Sequence, residues 1–409
     1  MDERRRALVA GLVAGWPMMT DRVATSKGFR VIDRVAGGDD LSRNRSNAEE
    51  IEWISVSGDL DSKVVVPVIV GDVPMTAILD TGSATTIIDS GLATRLGVQP
   101  LSKARVQGNV NSAVGTWGTG VTVVFGRLAV QLSKVALLDL STASSPDGEP
   151  IGLVLGHDVF DQGVLDFDFS SRRVALRSPA SFREELGAEQ LSMRRGPQGE
   201  RYVLVSIEGR SQVPAILDLG SSNPIMISAH YAASQRLLDG KSLSSAAIAG
   251  VDGINITTTV SVRSIDAGAS RLNDIPCEVF QSWYSSAIPV NLGLPVLNRF
   301  RLAIDFSRDR VWIKPTTLAS TAPFRRDLAG LGLATKPNRL KVVHVAVGSP
   351  AERNGWTVGD EIVAIDGQAI GAGYLKSSLV NWRYAPEGRT LLVTLSTGVE
   401  RRLTLARYY

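Results

Sequence analysis

The sequence predicts an all-β protein made of two homologous lobes followed by a small β-domain, and three observations carry that expectation. The first is a repeat: Ala-Ile-Leu-Asp-Thr-Gly-Ser-Ala-Thr-Thr-Ile-Ile-Asp-Ser at 77–90 returns as Ala-Ile-Leu-Asp-Leu-Gly-Ser-Ser-Asn-Pro-Ile-Met-Ile-Ser at 215–228. Asp80 therefore corresponds to Asp218, Gly82 to Gly220 and Ser83 to Ser221. The second is the reach of that repeat: Gly71 matches Gly209, and residues 156–174 match residues 293–311 at a constant offset of 137. A match this wide marks a duplicated fold, not a recurring tetrapeptide. The third is punctuation, since short apolar and β-branched runs are bounded by Gly, Asp and Ser turns, as strands are.

Taken in order, the 409 residues are 44% apolar and 21% charged, ordinary for a globular protein with a large core. A net charge of +3 argues neither for nucleic acid nor for a membrane surface. Met1 to Arg6 is charged and the uncharged run Ala7 to Thr20 follows, the layout of a signal peptide over 1–24, with Arg22-Val23-Ala24 as a cleavage candidate and export to the periplasm or beyond as the implied destination. The run is too short to span a bilayer. Residues 25–50 are polar and read as a linker.

The first lobe is expected over 51–180. Val64 to Val70 and Met75 to Leu79 read as strands meeting at the Gly71-Asp72 turn. Asp89 to Leu96 is a short helix candidate stopped by Gly97. Residues 105–125 form a Gly-rich hairpin candidate with Trp117 between Gly115 and Gly118, and the second-lobe counterpart near 249–253 looks shorter. Residues 179–200 are polar and make the connection between lobes. The second lobe spans 199–320, with loops expected at 242–245 and 266–270. A last domain, 324–409, carries a strand-like Val342 to Val347 and a helix candidate near Tyr374–Arg383.

Two carboxylates held about 3 Å apart cannot both ionise, and the proton they share lets the pair act as acid and base together. The pattern apolar-apolar-Asp80-Thr81-Gly82-Ser83, then Val154-Leu155-Gly156, then Phe167-Asp168-Phe169, resembles retropepsin-like aspartic proteases, here as a duplicated chain of the pepsin-like, two-lobed kind. The similarity covers roughly 60–315. It implies a catalytic pair Asp80 and Asp218, supported by Thr81, Gly82, Ser83, Gly220 and Ser221, with the hydroxyls of Thr81, Ser83 and Ser221 orienting the acids. It also implies a flap carrying Gly115 and Trp117, a peptide or protein substrate, a monomer, and neither metal nor cofactor. The second copy departs from the pattern, because Leu219 replaces Thr or Ser and Asn291 replaces an apolar residue.

From Gly348-Ser349-Pro350-Ala351 to Ile365-Asp366-Gly367 the chain resembles a bacterial PDZ domain, a small β-sandwich or barrel with one or two helices. That resemblance implies capture of a peptide C-terminus, with Gly330, Leu331, Gly332 and Leu333 as the carboxylate loop. His157, His230 and His344 lie in no serine- or zinc-hydrolase frame, and Cys277 reads as a buried apolar residue. The function expected is an aspartic endopeptidase with a peptide-recognising module. The alternative is an inactive peptide-binding or scaffolding protein, which Leu219 keeps open.

Overall fold

The computed structural model describes residues 30–31, 51–107, 112–140, 152–196, 199–250 and 253–409. The expected signal peptide, most of the linker and the tips of both hairpin candidates lie outside these residues. The chain is all-β, and no helix among the described residues is long and apolar enough to cross a membrane.

Each lobe is organised by the same local solution. In the first, the run Val65–Val70 pairs antiparallel with Val73–Leu79 from Val65 opposite Ile78 to Val70 opposite Val73, closed by Gly71 at φ +59. Leu153–Leu155 then slots between two strands, parallel to Val73–Leu79 and antiparallel to Ile87–Asp89. All three of its residues are buried, as a central strand covered on both faces requires. The second lobe repeats this with Val290–Gly293 parallel to Val213–Asp218 and antiparallel to Ile225–Ser228. A short helix follows each outer strand: Ser90–Arg95 is capped by the Asp89 carboxylate and Ala229–Ser234 by the Ser228 hydroxyl.

The two matched downstream blocks pair with each other. Val164–Asp168 lies antiparallel to Phe300–Asp305, with Leu165 opposite Ile304 and Phe167 opposite Leu302. Residue 165 is the counterpart of 302, and 167 of 304, so the register is self-complementary, the geometry of a two-fold axis between equivalent units. Core side chains of both lobes, among them Phe167, Phe306, Leu219 and Leu292, form one continuous cluster.

Several expectations are corrected or refined here. The 179–200 segment between the lobes is itself paired and packed: Glu189–Ser192 adds an edge strand on Arg310–Pro315, and the Phe182 ring packs 4.9 Å from Trp312. The second-lobe hairpin is not shorter, since Ser244–Gly250 and Gly253–Ala267 pair at seven positions, as do Pro100–Gln107 and Ser112–Thr119. Its strand also takes in Ser244 and Ser245, placed above in a loop. Within the expected linker, Arg30–Val31 pairs with the strand Leu128–Gln131.

The C-terminal domain has its own core, centred on Leu340, Val342, Trp356, Ile362, Leu391 and Leu403. Its sheet begins at Leu331–Lys336, which among the described residues is an edge strand paired with Arg339–Val345. The expected helix at 374–383 forms as two 3-10 segments, Tyr374–Lys376 and Ser378–Tyr384. The domain rests on the second-lobe hairpin: Ser244 Oγ donates to Val347 O at 2.6 Å, and Ser245 Oγ bonds His344 Nε2 at 2.9 Å. Arg326 and Arg407 of this domain's flanks both pair with Asp274 of the second lobe.

Candidate active site

The strand Val73–Leu79 delivers Asp80, and Val213–Asp218 ends on Asp218, so two acids arrive from equivalent strands at the two-fold axis. Each chain then turns back so that its own N–H groups meet the carboxyl. Gly82 and Ser83 N–H donate to Asp80 Oδ1 at 2.9 and 3.1 Å, and Gly220 N–H donates to Asp218 Oδ1 at 2.9 Å.

The glycines are required by space, not by unusual dihedrals. Neither Gly82 nor Gly220 has positive φ. A Cβ on Gly82 would stand 2.7 Å from Asp218 Cγ, and one on Gly220 would stand 2.5 Å from Asp80 Cγ. Each turn is thus the wall against which the opposite acid rests.

Thr81 ties the lobes together. Its Oγ1 donates to Leu217 O at 2.7 Å and accepts from Leu219 N–H at 3.0 Å. The reciprocal bond has no hydroxyl to make it, because Leu219 is fully buried in the shared core. Ser83 and Ser221 act through their backbone, contrary to the expectation for their hydroxyls. Ser83 Oγ donates to Thr85 O at 2.8 Å and Ser221 Oγ to Asn223 O at 3.4 Å, each closing its own loop.

Both acids are fully buried. Burial first, and then the charge of Asp218, hold the Asp80 carboxyl well above the usual carboxylate range. Burial raises Asp218 to about 6, against the lowering pull of Asn291 and the Gly220 and Ser221 N–H groups. The pair is therefore one in which a proton is retained near neutral pH.

Sequence reasoning missed two neighbours. Asn291 Nδ2 donates to Asp218 Oδ2 at 2.7 Å, and the only signal was its presence where the first lobe has Val154. Asp158 accepts from Thr86 N–H and Oγ1 at 2.8 and 2.7 Å, stapling the first acid turn to the helix His157–Phe160, and burial raises it to about 6.

The remaining candidates have their own surroundings. Gly115 and Trp117 sit in the strand Ser112–Thr119, where a Cβ on Gly115 would come 2.5 Å from Leu138 Cδ2 and Trp117 carries the Lys134 ammonium 3.7 Å from its ring centre. Both residues pack on the neighbouring strand, Lys134–Leu138. His157 is buried and stacks on Phe306 at 5.7 Å. Gly330, Leu331, Gly332 and Leu333 lie at the start of the C-terminal edge strand, where Gly330 has φ +80 and a bulge separates Gly332 from Leu333. The Asp327 carboxylate already accepts the Ala329 and Gly330 N–H groups at 2.8 and 3.1 Å.

Residues 66–159 match the aspartyl protease family model. That match covers the first acid turn and its downstream strand, and it supports a protease function for the chain. Among solved structures, the aspartic proteinase from Irpex lacteus is similar at 15% identity and a TM-score of 0.41, over 66% of this chain and 98% of that one. A search of curated proteins gave no match. The aspartyl protease pattern recognised in the first lobe has its structural repeat, acid included, in the second.

Proposed function

We propose that the protein is an aspartic-type endopeptidase whose catalytic pair is Asp80 and Asp218. The observation that carries this reading is the opposed packing of each acid on the other lobe's glycine turn. In the proposed reaction the ionised carboxylate takes a proton from a water molecule, and the resulting hydroxide adds to the peptide carbonyl carbon. The protonated partner gives its proton to the carbonyl oxygen. Collapse of the tetrahedral intermediate then breaks the C–N bond: the proton held by the first acid passes to the leaving amine, and one hydroxyl of the intermediate returns its proton to the partner acid as the product carboxyl forms. The pair returns to its singly protonated state without a covalent intermediate.

The C-terminal domain is proposed to act as a PDZ module that docks a substrate peptide as an added strand on the free edge of Leu331–Lys336. Because one chain supplies both acids, the active unit in this reading is a monomer. Export directed by residues 1–24 completes the proposal. The test is digestion of a peptide library by the wild-type protein and by Asp80→Asn, with cleavage expected only from the former.

A further inference from the structure

The proposed pair is not symmetric, and one side chain makes the difference. The backbone donors come from matching turns: Asp80 Oδ1 receives the Gly82 and Ser83 N–H groups, and Asp218 Oδ1 receives that of Gly220. Beyond these, no further N–H group reaches Asp80 among the described residues, its remaining side-chain hydrogen bond being with Asp218 itself, whereas Asp218 Oδ2 accepts Asn291 Nδ2 at 2.7 Å. The duplicated frame shows how this arose. Val154 lies beside Ile78 in the first lobe and Asn291 beside Ile216 in the second, at the same register on the strand parallel to the one that carries the acid. One lobe fills that position with an apolar side chain and the other with an amide.

We infer that Asn291 is a positioning residue that fixes the polarity of the pair, keeping Asp218 as the carboxylate that activates water and leaving the shared proton on Asp80. This rests on the endopeptidase reading for its consequence, but the polarity itself is a property of the two carboxyls. Asn291 is only 2% exposed, so its N–H bond is made in a dry setting where charge-assisted hydrogen bonds are strong. A carboxylate each of whose oxygens takes an N–H group, one of them from a buried amide, is favoured in its ionised form. The other groups facing Asp218 do not oppose this assignment: burial and the Asp218 charge hold Asp80 above the usual carboxylate range, and Tyr284, raised by burial, Asp218 and Glu200, is a neutral phenol. The amide also stands in for part of what the second lobe lost, because Leu219 brings no hydroxyl to the acid turn while Asn291 brings a donor directly to the acid.

The test is titration of the aspartate Cγ resonances in 13C-labelled protein, with Asp80 and Asp218 assigned through Asp80→Asn and Asp218→Asn. It compares the wild type with Asn291→Val, the first-lobe residue, and with Asn291→Leu, which keeps the branched shape without the amide. The wild type should show Asp218 ionising first. Both variants should raise that ionisation by at least one unit, a tenfold change in the equilibrium. On a cleaved peptide at pH 5, kcat should fall about tenfold with KM unchanged, and the acidic limb of the pH profile should move up by the same unit. If Asp80 ionises first in the wild type, or if neither variant shifts either resonance while both remain folded, Asn291 is structural and the inference is overturned. A protein that cleaves no peptide would defeat the endopeptidase reading, and the carbon titration would still decide this one.

Discussion

Gly82 faces Asp218 so closely that a Cβ on the glycine would stand 2.7 Å from the carboxyl carbon, and Gly220 faces Asp80 in the same way. A β-carbon at either position must displace the opposite acid, because real Cβ atoms do not approach that near. Gly82→Ala and Gly220→Ala should each lower kcat for peptide cleavage by 100-fold or more, on the scale of the ~10²-fold that a 1 Å misplacement can cost. Circular dichroism should show the β-fold retained. Activity within a factor of two of wild type would mean that the two turns can separate without consequence.

Thr81 Oγ1 is the buried clasp between lobes, donating to Leu217 O and accepting from Leu219 N–H. Thr81→Val keeps the shape but orphans both backbone groups, which should cost roughly 2–4 kcal/mol. Leu219→Thr, which restores a hydroxyl at the equivalent position, should also destabilise, by about 1–3 kcal/mol, because that site is now apolar core. Urea unfolding of the two variants against wild type measures both losses.

The sequence exposed the acid pair because a functional turn was written twice, in one apolar frame, and duplication of that frame required the strands to repeat as well. The strand Glu189–Ser192 was not legible, since its residues are polar and its only reason to be extended is a partner more than a hundred residues away, Arg310–Pro315. Hydroxyl directions were not legible either: Ser83 and Ser221 stand beside the acids in sequence, yet each bonds a carbonyl two residues ahead. Asn291 looked like loss of pattern. Only the parallel strand pairing, which sets it beside Ile216, turns that departure into a contact with Asp218.

Glu278 is buried in the second lobe, accepting from the Thr257 and Thr259 hydroxyls, and lines a cavity of about 690 Å³ that also reaches Leu331 and Tyr384 of the C-terminal domain. Burial raises its pKa from 4.5 to about 7. The folded state therefore keeps this proton to a higher pH than the unfolded chain does. Stability from this group is complete below about 4.5 and is lost as pH rises through about 7, a difference of about 3 kcal/mol. Glu278→Gln should match wild type at pH 4 and exceed it at pH 8 in denaturant unfolding. Equal stabilities at both pH values would show that the carboxyl is hydrated in the folded protein.

Asp327 occupies the Ala329 and Gly330 N–H groups at the mouth of the proposed peptide groove. If a terminal carboxylate docks there, Asp327→Asn should strengthen binding of a peptide with a free C-terminus by several-fold, by removing a like charge. An amidated peptide should gain nothing. Fluorescence polarisation with both peptides on the Asp80→Asn protein reads this without cleavage. Equal affinities for acid and amide, unchanged by the substitution, would assign the edge strand to internal peptide segments.

The central claim is that Asp80 and Asp218 form one proton-sharing catalytic unit, and peptide-library cleavage by wild type, Asp80→Asn, Asp218→Asn and the double variant, followed from pH 3 to 8, tests it most directly. Asp218 must be ionised and Asp80 protonated, so wild-type kcat/KM should rise through an acidic limb near 6, where Asp218 titrates, and fall only at higher pH. Each single variant should lose activity as completely as the double variant, because members of one unit are not additive. Near-normal turnover by Asp218→Asn, or losses in the single variants that multiply in the double, would contradict it.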